Sequence, residues 1–250
     1  MIVLKSLLAG IRLALFIVLI VVMYLLFLMS IKTFVKYDLK KGFKLRRDFL
    51  SIINPILGIK NEVFGKPINQ PAIYISNHRG LLDFFVTLKY LDTYILSKEE
   101  VRHIPILGKA SELTGIFFVK REDKSSRRAT REAIKQIISS GYNVLIFIEG
   151  TTNINKLTAE FKRGTFEVAA ENNIPVVPIA EEYKYKDDLW KDNSMWRQWV
   201  MTTGKLTTPV KMSFGPALQS DDPDYLLKES KRWIDGELLK LQKDWSLAYE

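Results

Sequence analysis

The sequence predicts an α/β protein: a mostly parallel central sheet flanked by helices, preceded by an N-terminal membrane helix. Three observations lead there. The length of 250 residues, with 47% hydrophobic and 26% charged residues, suits one packed core rather than a disordered or low-complexity chain. From about Lys66 onward, short β-rich runs alternate with helical ones. The first fifty residues hold an apolar block long enough to cross a bilayer.

That block, Leu13 to Ile31, reads LALFIVLIVVMYLLFLMSI, nineteen uncharged residues between Arg12 and Lys32 and apolar on every side. At about 1.5 Å rise per residue it makes roughly 28 Å of helix, close to a hydrocarbon core. A cleaved signal peptide fits less well, because its apolar region runs only about 7–15 residues before a small-residue cleavage site. Here the chain continues Lys-Thr-Phe-Val-Lys. Lys5 and Arg12 precede the block, whereas Lys32, Lys36, Lys40, Lys41, Lys44, Arg46 and Arg47 follow it. The bias predicts a membrane protein, single-pass or monotopic, with the main domain on the cytosolic side. The basic run also suits anionic headgroups or a solvated juxtamembrane face. Phe49 to Ile59 can lie in the interface as a partner of the first helix, which keeps a monotopic hairpin open. The expected division is an anchor at 1–32, a basic interfacial segment at 33–65 and the main domain at 66–250.

Within that domain the expected strands are AIYIS (72–76), TYILS (93–97), IFFVK (116–120), NVLIFI (143–148), PVVPIA (175–180) and VKMSF (210–214). The clearest helix runs over 125–139, with Ala129, Ala133, Ile134, Ile137 and Ile138 on one face and Gly141 as terminator. Another starts near Tyr225 and runs towards Trp245. The cluster of Trp190, Trp196 and Trp199 with Met195 and Met201 reads as a packed helix, an interfacial surface or an acyl-tunnel wall.

Composition removes several chemistries. Without cysteine there is no disulfide framework, thiolate nucleophile or Cys-ligated zinc, and two histidines are too few for a His-rich metal site. A formal charge of +9 and a pI near 9.5 suit a polyanionic partner. The anchor and the lack of a recognised binding motif turn that away from nucleic acid and towards a bilayer or phosphorylated substrates.

The sharpest local feature is Asn77-His78-Arg79-Gly80-Leu81-Leu82-Asp83, after a strand and before an apolar helix. Sites in open α/β sheets form at the carboxyl ends of strands. There Asp83 can fix one ring nitrogen of His78 and leave the other to take a proton, the base half of a triad. Ser76 lacks the glycine-flanked elbow of a serine nucleophile, so the proton donor is read as a substrate alcohol. Glu149-Gly150-Thr151-Thr152 follows NVLIFI and belongs at the same sheet edge: Gly150 for close backbone approach, Thr151 for a hydroxyl, Glu149 to accept from a substrate hydroxyl. Lys120-Arg121 and Lys162-Arg163 add cations suited to a phosphate, or to a solvated surface. His103 has no carboxylate at comparable spacing and reads as structural.

The ordered set NHRGLLD, GIFFVKR, FIEGTT and IPVVPIA resembles the four sequence blocks of the glycerolipid acyltransferase family, over roughly residues 70–180. The resemblance implies transfer of a fatty acyl group, from acyl-CoA or acyl carrier protein as co-substrate, to a hydroxyl of a lysophospholipid or glycerol phosphate. The foremost acceptor is 1-acylglycerol-3-phosphate, in phospholipid biosynthesis, with no metal, cofactor or prosthetic group. It assigns His78 as general base and Asp83 as its orienting partner. It assigns Lys120, Arg121, Glu149, Gly150 and Thr151 to acceptor binding, and IPVVPIA to acyl-chain or structural packing. The oxyanion is expected to meet backbone amides of the first or third block. Family members often carry Ser or Thr where Gly80 stands, Pro where Ile148 stands and, in lysophosphatidate acyltransferases, Arg where Thr152 stands, which bears on the acceptor more than on the reaction. The competing reading is a membrane-anchored lipid-binding or scaffolding protein without turnover.

Overall fold

The computed structural model describes residues 2–33, 39–103, 107–119, 124–191, 194–243 and 245. Among these the chain order is α1 (Ile2–Thr33), α2 (Leu39–Leu57), β1 (Ile59–Phe64), β2 (Ile73–Ser76), α3 (Asp83–Thr87), β3 (Thr93–Lys98), α4 (Leu107–Leu113), β4 (Ile116–Val119), α5 (Lys124–Ser139), β5 (Asn143–Phe147), α6 (Gly164–Glu171), β6 (Val176–Tyr183), α7 (Met195–Thr203), β7 (Thr208–Phe214) and α8 (Pro223–Gln242).

The strands make one sheet in the order β1-β7-β6-β2-β5-β3-β4. The run from β6 to β4 is parallel throughout. β7 pairs antiparallel with β6 and parallel with β1, so the direction reverses at one seam. Side chains alternate across the sheet. Tyr74, Val177 and Ile179 pack with residues of α1, α2, α3 and α7, while Ile73, Ile75, Val176 and Ala180 pack with α5, α6 and α8.

All six expected strands are present, and β1 is an addition. It is an edge strand that exposes Lys60, Glu62 and Phe64 and buries little, so its sequence carries no strong strand signal. Its pairing with β7 makes it part of the sheet. The main domain therefore begins by Ile59, and the boundary expected after residue 65 moves back accordingly.

The apolar block lies inside α1, which is longer at both ends. One side of α1 rests on the domain over most of its length. Lys5 lies 3.8 Å from Asp187, and the Trp199 indole N–H donates to Ala9 O at 2.9 Å. Arg12 donates to Thr203 O at 2.6 Å, Lys205 O at 2.5 Å and Leu206 O at 3.1 Å, which caps the C-terminal end of α7. Phe16 packs against Phe49, Phe85 and Trp199. The other side of α1 exposes Val3, Leu4, Leu7, Ile11, Leu15 and Val18. Of the flanking cations, Arg12 on the N-terminal side is buried. Arg46 is buried as well, donating to the carbonyls of Leu91, Thr93 and Thr114.

Candidate active site

In the parallel register, Ser76 at the end of β2 stands opposite Phe147 at the end of β5, so the chain leaves both strands side by side at one rim. His78 and Glu149 meet there: the His78 backbone N–H donates to Glu149 Oε1 at 3.1 Å, and the Asn153 backbone N–H donates to His78 O at 2.8 Å. On the other flank, β6 extends past the rim. Its Glu181 exchanges two hydrogen bonds with the Asn77 side chain, Asn77 Nδ2 to Glu181 O at 2.9 Å and Glu181 N to Asn77 Oδ1 at 2.8 Å. The histidine is thus pinned through its backbone from both sides.

His78 Nδ1 and Asp83 Oδ2 are 2.6 Å apart. Asp83 is fully buried and also accepts from the backbone N–H of Arg79 at 2.7 Å and of Gly80 at 3.0 Å, with Tyr183 O–H reaching Oδ1 at 2.6 Å. The imidazole stacks on Phe147 at 4.4 Å between centroids and meets the edge of Phe84 at 6.0 Å. Its side chain keeps 16% of its surface open, and Nε2 has no partner among the described residues. The ring is fixed at Nδ1 and open at Nε2, the arrangement a general base needs. Ser76 is fully buried within β2 and is not presented as a nucleophile.

The remaining sequence-assigned residues divide. Glu149 is buried and both of its oxygens are engaged within the protein. Oε1 takes His78 N–H, and Oε2 takes Asn153 Nδ2 at 2.8 Å and Ala159 N at 2.6 Å, so it braces the site loop instead of presenting an acceptor to substrate. Gly150 has φ +73°, and a side chain there would run into Lys162 Nζ. Lys162, exposed and without a salt-bridge partner among the described residues, therefore carries its ammonium to the Glu-Gly-Thr turn. Thr151 is exposed on that turn. Lys120 and Arg121 lie outside the described residues. Arg163 faces Asp224 and Glu167, which hold its guanidinium above its ordinary range, so it serves the fold. His103 is exposed on a 3-10 turn at Glu99–His103, directly after β3, with no hydrogen-bond or ion-pair partner among the described residues.

Three backbone amides of the first block are engaged within the protein: His78 on Glu149, Arg79 and Gly80 on Asp83. In the third block the amides of Thr151 and Thr152 have no hydrogen-bond acceptor among the described residues.

Sequence reasoning missed four contributors. Arg79 is completely buried and donates to Asn153 O and Lys156 O at 3.0 Å each and to Asn155 O, with Glu182 Oε2 at 3.3 Å balancing its charge. It folds loop 153–156 around the site. Glu181, Glu182 and Tyr183 follow IPVVPIA directly, and a polar run prolonging a buried strand was the available signal. Burial, then the charge of Asp83, pushes the Glu181 carboxyl well above the usual carboxylate range, against the pull of the Thr87 hydroxyl. Burial and the same carboxylates hold the Tyr183 phenol well above its ordinary value.

An apolar cavity of about 190 Å³ opens beside this site. Its lining includes Phe16, Ile20 and Met23 of α1, Phe49 of α2, and Phe84, the same ring that meets His78. Among the described residues no group of three or more Asp, Glu or His side chains is placed to hold a metal ion.

A family model described as Acyltransferase matches residues 59–182, the segment that holds β1 to β5, most of β6 and the paired His78 and Asp83. Over that segment, just under half of the chain, the protein is similar to glycerolipid acyltransferases. It is 33% identical over 112 residues to a chloroplastic 1-acyl-sn-glycerol-3-phosphate acyltransferase of Brassica napus, covering 44% of this chain and 33% of that one. It is 30% identical over 145 residues to human 1-acyl-sn-glycerol-3-phosphate acyltransferase alpha, covering 56% and 51%. It is 31% identical over 111 residues to a lyso-ornithine lipid O-acyltransferase of Rhodobacter capsulatus, covering 44% and 40%. The chain thus matches a third to about half of the length of these curated relatives. The crystal structure of PlsC, the 1-acyl-sn-glycerophosphate acyltransferase of Thermotoga maritima, shares the fold with a TM-score of 0.67 at 18% identity, over 92% of this chain and 98% of that one.

Proposed function

We propose that the protein is a membrane-attached O-acyltransferase of phospholipid synthesis, moving a fatty acyl group from a thioester donor, acyl-CoA or acyl carrier protein, to a lysophospholipid hydroxyl. The leading acceptor is 1-acylglycerol-3-phosphate. The observation that carries the reading is the His78–Asp83 pair, fixed at Nδ1 and open at Nε2 on the sheet rim. His78 Nε2 takes the hydroxyl proton as the acceptor oxygen bonds to the thioester carbonyl carbon, while Asp83 balances the imidazolium. The oxyanion faces the amides of Thr151 and Thr152. When the tetrahedral intermediate collapses, the C–S bond breaks and the imidazolium returns its proton to the departing thiolate. Lys162, with Lys120 and Arg121 as assigned from sequence, meets the acceptor's headgroup phosphate. The cavity ending at Phe84 takes an acyl chain.

Seating follows from α1. Between Lys5 and Tyr24 the helix runs roughly 28 Å along the domain, with the domain on one side and bare apolar side chains on the other. A helix flanked by its own domain over that length lies in one leaflet with the cavity at the bilayer edge, so the monotopic form of the anchor is the one we propose.

The test is an assay of the purified full chain in phospholipid vesicles with acyl-CoA or acyl carrier protein as donor and a panel of acceptors: 1-acylglycerol-3-phosphate, lysophosphatidylcholine and a lyso-ornithine lipid. The last is included because one relative bears that name and because Thr152 stands where lysophosphatidate enzymes carry Arg. The proposal expects the fastest product formation with 1-acylglycerol-3-phosphate. Preference for the lyso-ornithine lipid would reassign the acceptor. Lipid binding with no product from any pair would favour the scaffolding reading.

A further inference from the structure

Asp83 is held at both of its oxygens. Oδ2 faces His78 Nδ1 and the amides of Arg79 and Gly80, whereas Oδ1 has only a share of the Gly80 amide and the Tyr183 hydroxyl, at 2.6 Å. Tyr183 is fully buried at the end of β6, and its ring lies against Gly80, where an added Cβ would sit 3.2 Å from the ring carbons and 2.7 Å from Asp188 O. The glycine in the first block gives the phenol its approach to the carboxylate. Glu181, two residues earlier on β6, shares the Thr87 hydroxyl with Asp83 O and has its Oε2 buried without a partner.

We propose that Tyr183 is a positioning residue for acyl transfer, acting on His78 through Asp83. The inference rests on the reading of His78 as the base. A hydroxyl donated to Oδ1 has two effects. It stops the carboxylate rocking about its Cβ–Cγ bond, so Oδ2 stays aimed at Nδ1. It also draws negative charge away from Oδ2, so the imidazolium is stabilised less than a bare carboxylate would stabilise it. The charged groups around this pair include the Asp188 carboxylate, which acts on Tyr183 from the turn after β6 with Lys205 2.6 Å away. Asp83 and Thr87 come from α3, Glu181 and Tyr183 from β6, and Glu149 from the turn after β5, bonded to the His78 main chain. The Arg79 guanidinium is turned to residues 153–156 and Glu182. Phe84 and Phe147 contribute uncharged ring contacts. Tyr183 is thus the one neutral side-chain donor on the dyad carboxylate among the described residues.

The experiment is a titration of the His78 ring protons by NMR in micelle-bound full-length protein with labelled histidine. Only two histidines are present, and His103→Asn separates their signals. In Tyr183→Phe the His78 midpoint should move up by about half a unit to one unit. The acidic limb of the kcat/KM–pH profile should move with it, a loss of about 3–10-fold at the foot of that limb with values within about twofold of wild type at pH 9. Replacing Tyr183 by 3-fluorotyrosine, a stronger donor of the same shape, should move the midpoint down, and this serves if Tyr183→Phe does not fold. A His78 midpoint unmoved by either change overturns the inference. Shifts in the expected directions without turnover on any acceptor support the Tyr183–Asp83–His78 linkage and overturn the acyl-transfer reading alone.

Discussion

Two buried arginines close two different seams of the molecule. Arg79 gathers carbonyls of loop 153–156 at the sheet rim and has Glu182 as counter-ion. Arg12 gathers three carbonyls at the end of α7 and ties α1 to the domain, with no carboxylate partner among the described residues. The first is an internal ion pair, whose loss strands a buried charge. The second is a helix cap, favoured by the negative end of the α7 dipole and released at smaller cost. The rim is accordingly built as fixed structure, and the α1 seam as an attachment.

Substitutions separate the two. Arg79→Met leaves Glu182 buried and three carbonyls unpaired, and should lower stability by about 3–5 kcal/mol in chemical unfolding, with activity lost in the same variant. An unchanged unfolding midpoint would mean that the loop is not built around the guanidinium.

Asp188 lies between the seams, its carbonyl against Gly80 and its carboxylate 2.6 Å from Lys205. Burial raises its pKa to about 7 despite the Lys205 ammonium. Below about pH 4, folded and unfolded chains both hold this proton. As pH rises towards 7 the unfolded chain loses it first, so this group withdraws stability on the order of 3 kcal/mol between pH 4 and 7. Asp188→Asn should flatten that slope and raise Tm at pH 8, whereas a stability profile parallel to wild type would refute the assignment.

Arg12→Met keeps the stem and removes the cap, which should cost about 1–3 kcal/mol and speed proteolysis between α1 and α2. The rim should be unaffected, read as an unchanged kcat on vesicles. A collapse of kcat in that variant would join the two seams into one unit. Lys162→Ala should raise the acceptor KM about tenfold with kcat within about twofold, and a change in donor KM instead would move the headgroup elsewhere.

The strands of the parallel half and the sheet edge where His78 and Glu149 meet were legible because buried strands announce themselves as apolar runs, and because chemistry gathers where such strands end. The His78–Asp83 pairing was legible for a local reason: five residues of loop and helix start bring the two together without help from distant chain. What escaped depended on long-range contact. β1 is a half-exposed edge strand defined by β7, some 150 residues away in sequence. Arg12 and Arg46 read as flanking charges, and Arg79 has no role in the sequence reading, until the fold surrounds all three with carbonyls. Glu149 looks like a free acceptor in a Glu-Gly-Thr turn, and its engagement depends on the His78 backbone 71 residues earlier. Tyr183 enters the site only because β6 overshoots the rim.

The central claim is that one imidazole, open at Nε2, removes the acceptor proton. It is tested most directly by comparing His78→Ala with wild type for acyl transfer to 1-acylglycerol-3-phosphate, with matched unfolding midpoints as the check on folding. The expected result is a kcat/KM lower by about 10²–10⁴-fold with the midpoint preserved. Wild-type turnover in a folded His78→Ala protein would contradict it.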